Sequence, residues 1–221
     1  MSGLRLKAYY KVAVFLFLSG AVLWGCDSGQ KKLPILGERD AVKKIVNGKE
    51  VIDTLYNTIP PFSFTNQYGE TVNEKIVEGK IYVTDFFFTS CPTICPVMKR
   101  QMVKVYKEFK DNPDVMILSH TIDPEHDTPK VLNTFAKDLG VEGNQWQFLT
   151  GPKEDIYALG QKSYLSAAQE DKTADGGFLH SGAFILIDKN KHIRGMYDGT
   201  TEEGTQKLMR DMKILLEEYK K

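Results

Sequence analysis

Apolar residues along the chain fall into two kinds of run, one typical of buried strands and one typical of helices. Residues 81–88 form a strongly apolar run, which predicts a buried strand. In residues 97–109 the apolar side chains recur at helical spacing, which predicts a helix. A second apolar run at 115–122 predicts another strand. Strand, helix and strand in this order predict a βαβ unit with a parallel sheet.

The remaining patterns extend this α/β interpretation. Residues 60–72 alternate apolar and polar side chains around turn residues, which predicts a small hairpin. The polar, glycine-rich residues 171–177 predict a loop, and the strand after it is expected to pair antiparallel with its successor. The other predicted helices are 131–139, 153–164 and 202–219, and the other predicted strands are 148–150, 183–188 and 192–197.

The first residues are typical of an export signal. Arg5, Lys7 and Lys11 precede an apolar run at 12–24, which is shorter than the roughly 20 residues that span a bilayer. We therefore predict a signal peptide over 1–25, and an uncleaved anchor is the alternative. Both place the domain outside the membrane, in an oxidising compartment such as the periplasmic side of a bacterial cell envelope.

The end of that run resembles a bacterial lipobox, because a small residue, Gly25, precedes Cys26. The resemblance implies that Cys26 is lipidated and becomes the mature N-terminus, which would anchor the chain to a membrane by lipid. Residues 26–50 are polar and show no sustained period, so we expect a flexible tether there. The globular domain is then expected over 51–221.

The overall charge gives no indication of a nucleic-acid partner. The chain has 29 basic and 29 acidic residues, so its net charge gives no electrostatic case for binding nucleic acid. A length of 221 residues suits one hydrophobic core.

Two cysteines, Cys91 and Cys95, lie at the junction between the strand predicted at 81–88 and the helix predicted at 97–109. Backbone N–H groups and the helix dipole favour thiolate there. Pro92 and Pro96 suit a first helical turn, whose N–H groups have no intrahelical partners. Four-residue spacing puts both sulfurs on one face, where they could form a redox-active disulfide or hold one soft metal ion. The alternative is a pair of small buried hydrophobic residues.

Polar candidates follow the other strands. Asp123 comes directly after the second strand, and ligand chemistry gathers at the carboxyl ends of parallel strands. It could orient or tune a metal ligand, or it could be a turn residue before a proline. Asp127 or Thr128 could cap the following helix.

The chain has four histidines. His180 is expected in a flexible polar loop just before a core strand, so it is either a ligand that turns toward the cysteines or a solvated side chain. His120 is expected to be a hydrogen-bonded core or edge residue. His126 is expected at the surface, with a weak case as an auxiliary ligand.

Four motifs in order resemble the Sco/SenC family over most of residues 60–219. They are Thr-Ser-Cys-Pro-Thr-Ile-Cys-Pro at 89–96, Thr-Ile-Asp-Pro-Glu-His-Asp-Thr-Pro at 121–129, Leu-Thr-Gly at 149–151 and His-Ser at 180–181. The resemblance implies a thioredoxin-like fold, with a central mixed sheet flanked by helices and a small N-terminal hairpin.

The same resemblance implies a copper carrier rather than an enzyme. Cys91, Cys95 and His180 would bind Cu(I) or Cu(II), with Asp123 as the nearby acidic residue. The implied role is to metallate the dinuclear copper centre of cytochrome c oxidase. Its partners would be a copper-accepting oxidase subunit and a thiol reductant, since a disulfide binds no copper.

The chain departs from the family pattern at two points. Family members commonly have arginine where this chain has His126, and often an acidic residue before the histidine, where Phe178-Leu179 stand here. Two other activities remain open for the same fold. One is a thiol-disulfide oxidoreductase that reduces protein cysteines, and the other is a peroxide-reducing enzyme, signalled by sulfenic acid at Cys91.

Overall fold

The computed structural model describes residues 32–171 and 177–220, without the side chains of Glu170, Leu179 and His180. The predicted signal peptide and Cys26 lie outside the described residues. No helix in the described ranges combines the length and apolar composition needed to cross a membrane.

The described residues form eleven strands and four helices. The strands are β1 (Arg39–Val46), β2 (Lys49–Tyr56), β3 (Ser63–Asn66), β4 (Thr71–Asn73), β5 (Ile81–Phe87), β6 (Val115–Thr121), β7 (Trp146–Thr150), β8 (Ala168–Glu170), β9 (Phe178–His180), β10 (Ala183–Ile187) and β11 (Ile193–Asp198). The helices are α1 (Cys95–Phe109), α2 (Pro129–Asp138), α3 (Lys153–Ala158) and α4 (Glu202–Glu218). A 3₁₀ turn covers Glu74–Val77, and α3 continues as one π-helical turn, Leu159–Ser163.

Seven strands form one mixed sheet in the order β11-β10-β5-β6-β7-β3-β4. The central strands β5, β6 and β7 are parallel, while β10 and β3 pair antiparallel at either side of them. Each residue of the three central strands is buried, which explains their continuous apolar runs. The predicted βαβ unit and the mixed sheet are therefore confirmed.

Alternate residues of β5 face opposite layers of the domain. Phe87 stacks on Phe135 of α2 and lies beneath the ammonium of Lys99 from α1. On the other face, Phe86 contacts Tyr164, which follows the π-helical turn. Helices thus cover both faces, and the carboxyl ends of β5 and β6 meet at one edge of the sheet.

His120 lies inside the second of these layers. Its ring is wholly buried and stacks on Phe86, with Phe62, Phe64 and Tyr164 around it. The prediction of a core residue is correct, but the predicted hydrogen bond is wrong: among the described residues, neither ring nitrogen has a partner. Burial, helped by the charge of Lys99, lowers the pKa of His120 to about 3.

Two short hairpins fall where the sequence predicted no strands. The strands β1 and β2 occupy part of the stretch expected to be tether, joined by Asn47-Gly48, both with positive φ. Asn-Gly between strand-like runs favours such a turn, so this signal was available in the sequence. The strand β9 pairs with β8, so His180 lies in a strand rather than in the predicted loop.

The segment before β1 is also held on the domain. Arg194 donates to the carbonyl oxygens of Leu33 and Pro34, at 2.6 and 3.0 Å, and forms ion pairs with Asp188 and Glu218. Glu218 in turn accepts from the Leu33 N–H at 2.8 Å. Leu33 and Pro34 are therefore held on the domain, because their carbonyl oxygens accept from a buried guanidinium.

We predict that His120 makes the domain acid-labile. Its pKa is lower in the folded chain than the usual 6.5, so the unfolded state binds a proton first as the pH falls. This contribution to stability is complete above about pH 6.5 and declines toward pH 3, by about 5 kcal/mol at most. His120→Phe should flatten that part of the pH dependence of the free energy of unfolding in urea.

His192→Phe serves as the control, since it removes a partly buried histidine that lies beside Tyr56 and Asp188 and outside the aromatic layer around His120. If the free energy of unfolding of the wild type falls no more steeply than that of His120→Phe between pH 6.5 and 4, His120 is not the source of the acid lability.

Candidate metal centre

The cysteine loop connects β5 to α1. Cys91 and Cys95 are both buried and are present as thiols. Cys95 is the first residue of α1, and Ile94, at the N-cap position, makes no side-chain capping hydrogen bond. Pro96 has no N–H, and the Val97 N–H donates to the Ile94 carbonyl, so the N–H of the first turn that needs another acceptor is that of Cys95.

That acceptor is the sulfur of Cys91. Burial raises the pKa of the Cys91 thiol, but hydrogen bonds from the backbone N–H groups of Cys95 and Thr93, and from their side chains, outweigh it. The net result is a lowered pKa. The Thr93 hydroxyl oxygen lies 3.7 Å from the Cys91 sulfur. The sequence predicted thiolate stabilisation at this junction, and the structure places it on Cys91.

Cys95 has the opposite tendency. Burial raises the pKa of its thiol strongly, and the hydrogen bond with Cys91 adds to the shift, while Lys99, one turn along α1, opposes it. The pair thus consists of a thiolate-favouring Cys91 and a proton-retaining Cys95, within hydrogen-bonding reach of each other.

Asp127 holds the loop in place, and sequence reasoning missed this role. Its wholly buried carboxylate accepts from the Thr89 N–H at 3.0 Å, from the Thr89 hydroxyl and from the Thr121 hydroxyl at 2.5 Å. Thr89 precedes the cysteines and Thr121 ends β6, so one carboxylate joins the loop to the neighbouring strand. The cap of α2 is Thr128 instead, whose side chain accepts from the Val131 N–H.

His126 and Asp123 lie in the same turn. His126 is about half exposed, and its Nδ1 lies 2.9 Å from Asp127 and 3.3 Å from the Thr89 hydroxyl. The hydrogen bond with Asp127 raises the pKa of His126. Asp123 is partly buried, which raises its pKa, and its carboxylate accepts from the His126 N–H at 3.4 Å. The contacts described for Asp123 are those of the predicted turn residue.

A buried ion pair lies beneath the helix. The Lys99 ammonium is 2.7 Å from Asp85 and 3.2 Å from the Ser119 hydroxyl, which donates to Asp85 and accepts from Trp146 at 2.9 Å. Both charged groups are almost fully excluded from solvent. The network fixes α1 against β5 and β6, and the only sign of it in the sequence is an aspartate within the apolar run of β5.

The backbone of His180 lies beside the cysteine loop. Two residues before it, the Phe178 ring packs against Phe88 with centroids 4.9 Å apart. Two residues after it, Gly182 is close enough to Ile94 that an added Cβ would lie 3.7 Å from that side chain. The structure therefore brings β9 to the loop, although the side chain of His180 is outside the described atoms. Among the side chains that are described, no group of three His, Cys, Asp or Glu could hold a metal ion.

A family model confirms the resemblance that the motifs indicated. The SCO1/SenC model matches residues 52–217, which is most of the chain. This chain belongs to the SCO1/SenC family. The match contains both cysteines, the Asp127 turn and His180 in one continuous stretch.

Solved structures of Sco proteins agree with the fold. A SCO1/SenC family lipoprotein from Bacillus anthracis is 35% identical, with a TM-score of 0.66 over 73% of this chain and 96% of its own. BsSco, a member of the Sco family of cytochrome c oxidase assembly proteins with a disulfide switch, is 32% identical, with a TM-score of 0.64 over 73% of this chain and 94% of its own. Copper-bound ScoI from Arabidopsis thaliana is 26% identical, with a TM-score of 0.57 over 70% of this chain and 97% of its own. The predicted thioredoxin-like fold is confirmed.

We predict that Asp127 is more important to the cysteine loop than Asp123. Asp127→Asn replaces a buried carboxylate that accepts from three groups of Thr89 and Thr121, so the free energy of unfolding should fall by about 2–4 kcal/mol. Asp123→Asn, the matched control, should cost less than about 1 kcal/mol because that side chain is partly solvated. Urea denaturation of the reduced protein measures both, and equal losses would contradict the role of Asp127.

Proposed function

We propose that this Sco protein binds one copper ion through Cys91, Cys95 and His180 and delivers it to the dinuclear copper centre of cytochrome c oxidase. The observation that carries the proposal is the pairing of a thiolate-favouring Cys91 with Cys95, beside a strand that brings His180 to the same loop. Copper-bound Sco relatives and the oxidase-assembly role of BsSco support it.

The donor set suits copper as a cargo. Two sulfurs and one imidazole form a soft-to-borderline set that accommodates both Cu(I) and Cu(II). Three protein ligands leave one side of the ion open, where a ligand of the copper-accepting oxidase subunit can enter. Asp123, partly buried in the neighbouring turn, is the auxiliary acidic group in this proposal.

The proposal includes a location. Lipidation of Cys26 would tether the domain to the outer face of a bacterial cytoplasmic membrane or to another envelope membrane, on the periplasmic side. The lipoprotein relative from Bacillus anthracis supports this arrangement. A thiol reductant must act before loading, because the cysteines bind copper only when reduced.

A second function, thiol-disulfide oxidoreductase, is favoured by one observation: the two thiols differ in acidity. A Cys91 thiolate could attack a partner's disulfide and release one partner thiolate. Cys95 would then lose its proton and attack the mixed disulfide, which releases the second thiolate and leaves Cys91 and Cys95 oxidised. Two electrons pass to the partner in this exchange.

We predict one copper per reduced chain, with a visible thiolate-to-Cu(II) charge-transfer band at one equivalent. His180→Ala should weaken Cu(II) binding by at least about tenfold and Cu(I) binding less, since two thiolates can hold Cu(I) without imidazole. His192→Ala is the control, because His192 lies at the opposite end of the sheet from the cysteines. Copper titration followed by absorption spectroscopy measures these affinities.

An unchanged Cu(II) affinity in His180→Ala would remove His180 from the site. A wild-type protein that takes up no copper but rapidly reduces a protein disulfide would contradict the copper proposal and favour the oxidoreductase.

A further inference from the structure

The hairpin of β1 and β2 exposes large aliphatic side chains. Ile45 is 80% exposed, Ile52 is 77% exposed and Leu55 is 59% exposed, and Val46 and Val51 are exposed as well. The two strands pair with each other along their whole length, and nearly all of their residues face solvent. An isolated two-stranded ribbon is marginally stable in water, so this apolar surface points to something that covers it.

The base of the hairpin lies at one end of the main sheet. The Tyr56 ring contacts the His192 ring, with centroids 5.7 Å apart, and the Ile59 N–H donates to the Lys191 carbonyl at 2.9 Å. Lys191 and His192 follow Ile187, which pairs with Tyr82 at the beginning of β5. The cysteine loop follows the other end of β5, and seven residues of strand span about 20 Å.

The chain that precedes the hairpin limits where a membrane can be. Arg194 fixes Leu33 and Pro34 on the domain, at the hairpin end of the sheet. Cys26 is six residues before Lys32, and an extended residue spans at most about 3.5 Å, so the two are at most about 20 Å apart. A lipid on Cys26 would therefore keep the bilayer surface within about 20 Å of the hairpin end of the sheet.

The charges of the hairpin suit a bilayer surface. Both carboxylates near its tip are paired with lysines, Glu50 with Lys43 and Asp53 with Lys44, each at 2.5 Å. Lys49, at the turn, adds a further positive charge. Aliphatic side chains bordered by lysines are typical of interfacial segments, in which the aliphatic groups enter the headgroup region and the ammonium groups stay at the phosphates.

We propose that the hairpin tip, Ile45, Val46, Val51 and Ile52, inserts into the headgroup region of the bilayer to which the chain is tethered. The proposal rests on the tether included in the proposed function. It gives the domain an orientation: the hairpin end of the sheet faces the lipid, and the cysteine loop is held about 20 Å farther out, open to a partner.

The test uses the full chain, extracted from membranes and reconstituted into phosphatidylcholine vesicles with or without brominated acyl chains, which quench tryptophan on contact. Ile45→Trp places a probe at the tip, and Glu125→Trp places the control in an exposed turn beside the cysteine loop. The unsubstituted protein supplies the background of Trp146, since Trp24 is removed with the signal peptide before Cys26. Vesicle flotation reports the tether independently of the hairpin.

Brominated lipid should reduce the Ile45→Trp emission by about twofold and leave Glu125→Trp nearly unchanged. Adding Ile52→Glu to Ile45→Trp should abolish most of the quenching while the protein still floats. If Ile45→Trp and Glu125→Trp are quenched equally in a protein that floats, the hairpin does not insert, although the lipid tether is present. The hairpin would then be covered by a soluble partner. A protein that does not float contradicts both the lipid tether and the hairpin insertion. The proposed copper site does not depend on that result.

Discussion

The geometry of the cysteine loop depends on the buried carboxylate of Asp127. It accepts hydrogen bonds from Thr89 at the start of the loop and from Thr121 at the end of the neighbouring strand. With Thr89 fixed, the chain must turn within a few residues to begin α1 at Cys95. The Cys91 sulfur then accepts from the backbone N–H groups of Thr93, in the loop, and of Cys95, the first residue of the helix, and both favour its thiolate. A single side chain thus connects the sheet to the chemistry of the site.

Beneath the loop, a second buried charge has a complementary role. Lys99 and Asp85 hold α1 on the sheet, and removing either partner would leave an uncompensated charge in the core. Lys99 also opposes the effect of burial on Cys95. Lys99 therefore holds α1, which begins at Cys95, on the sheet, and Asp127 holds the loop that contains Cys91.

The sequence predicted the elements that build the site, because buried parallel strands and amphipathic helices have distinct apolar patterns. It placed Cys91 and Cys95 correctly at a strand-to-helix junction and identified the family from ordered motifs. It missed the role of Asp127 because that role depends on hydrogen bonds to residues up to 38 positions away, which no local pattern records. The strands β1 and β2 were missed because both of their faces are exposed, so no alternation of apolar and polar residues marks a buried face. Asn47-Gly48 did indicate the turn between them.

The structure gives a physical role to residues at both departures from the family pattern, His126 and Phe178. His126 pairs with Asp127, so a histidine that stands where relatives commonly have arginine still places a positive charge beside the carboxylate when protonated. Phe178, which stands near the position of an acidic residue in many relatives, packs on Phe88 and holds β9 against the loop. An apolar contact thus positions the backbone of His180.

Backbone N–H groups of Thr93 and Cys95 favour the thiolate of Cys91, while burial keeps Cys95 protonated. The most direct test is the pH dependence of iodoacetamide alkylation at each cysteine of the reduced protein, followed by mass spectrometry of the peptides at short reaction times. We expect Cys91 to react first, with an apparent pKa below the usual value of 9.0, and Cys95 to react slowly up to a much higher pH. Equal rates at the two cysteines, or faster alkylation of Cys95, would contradict it.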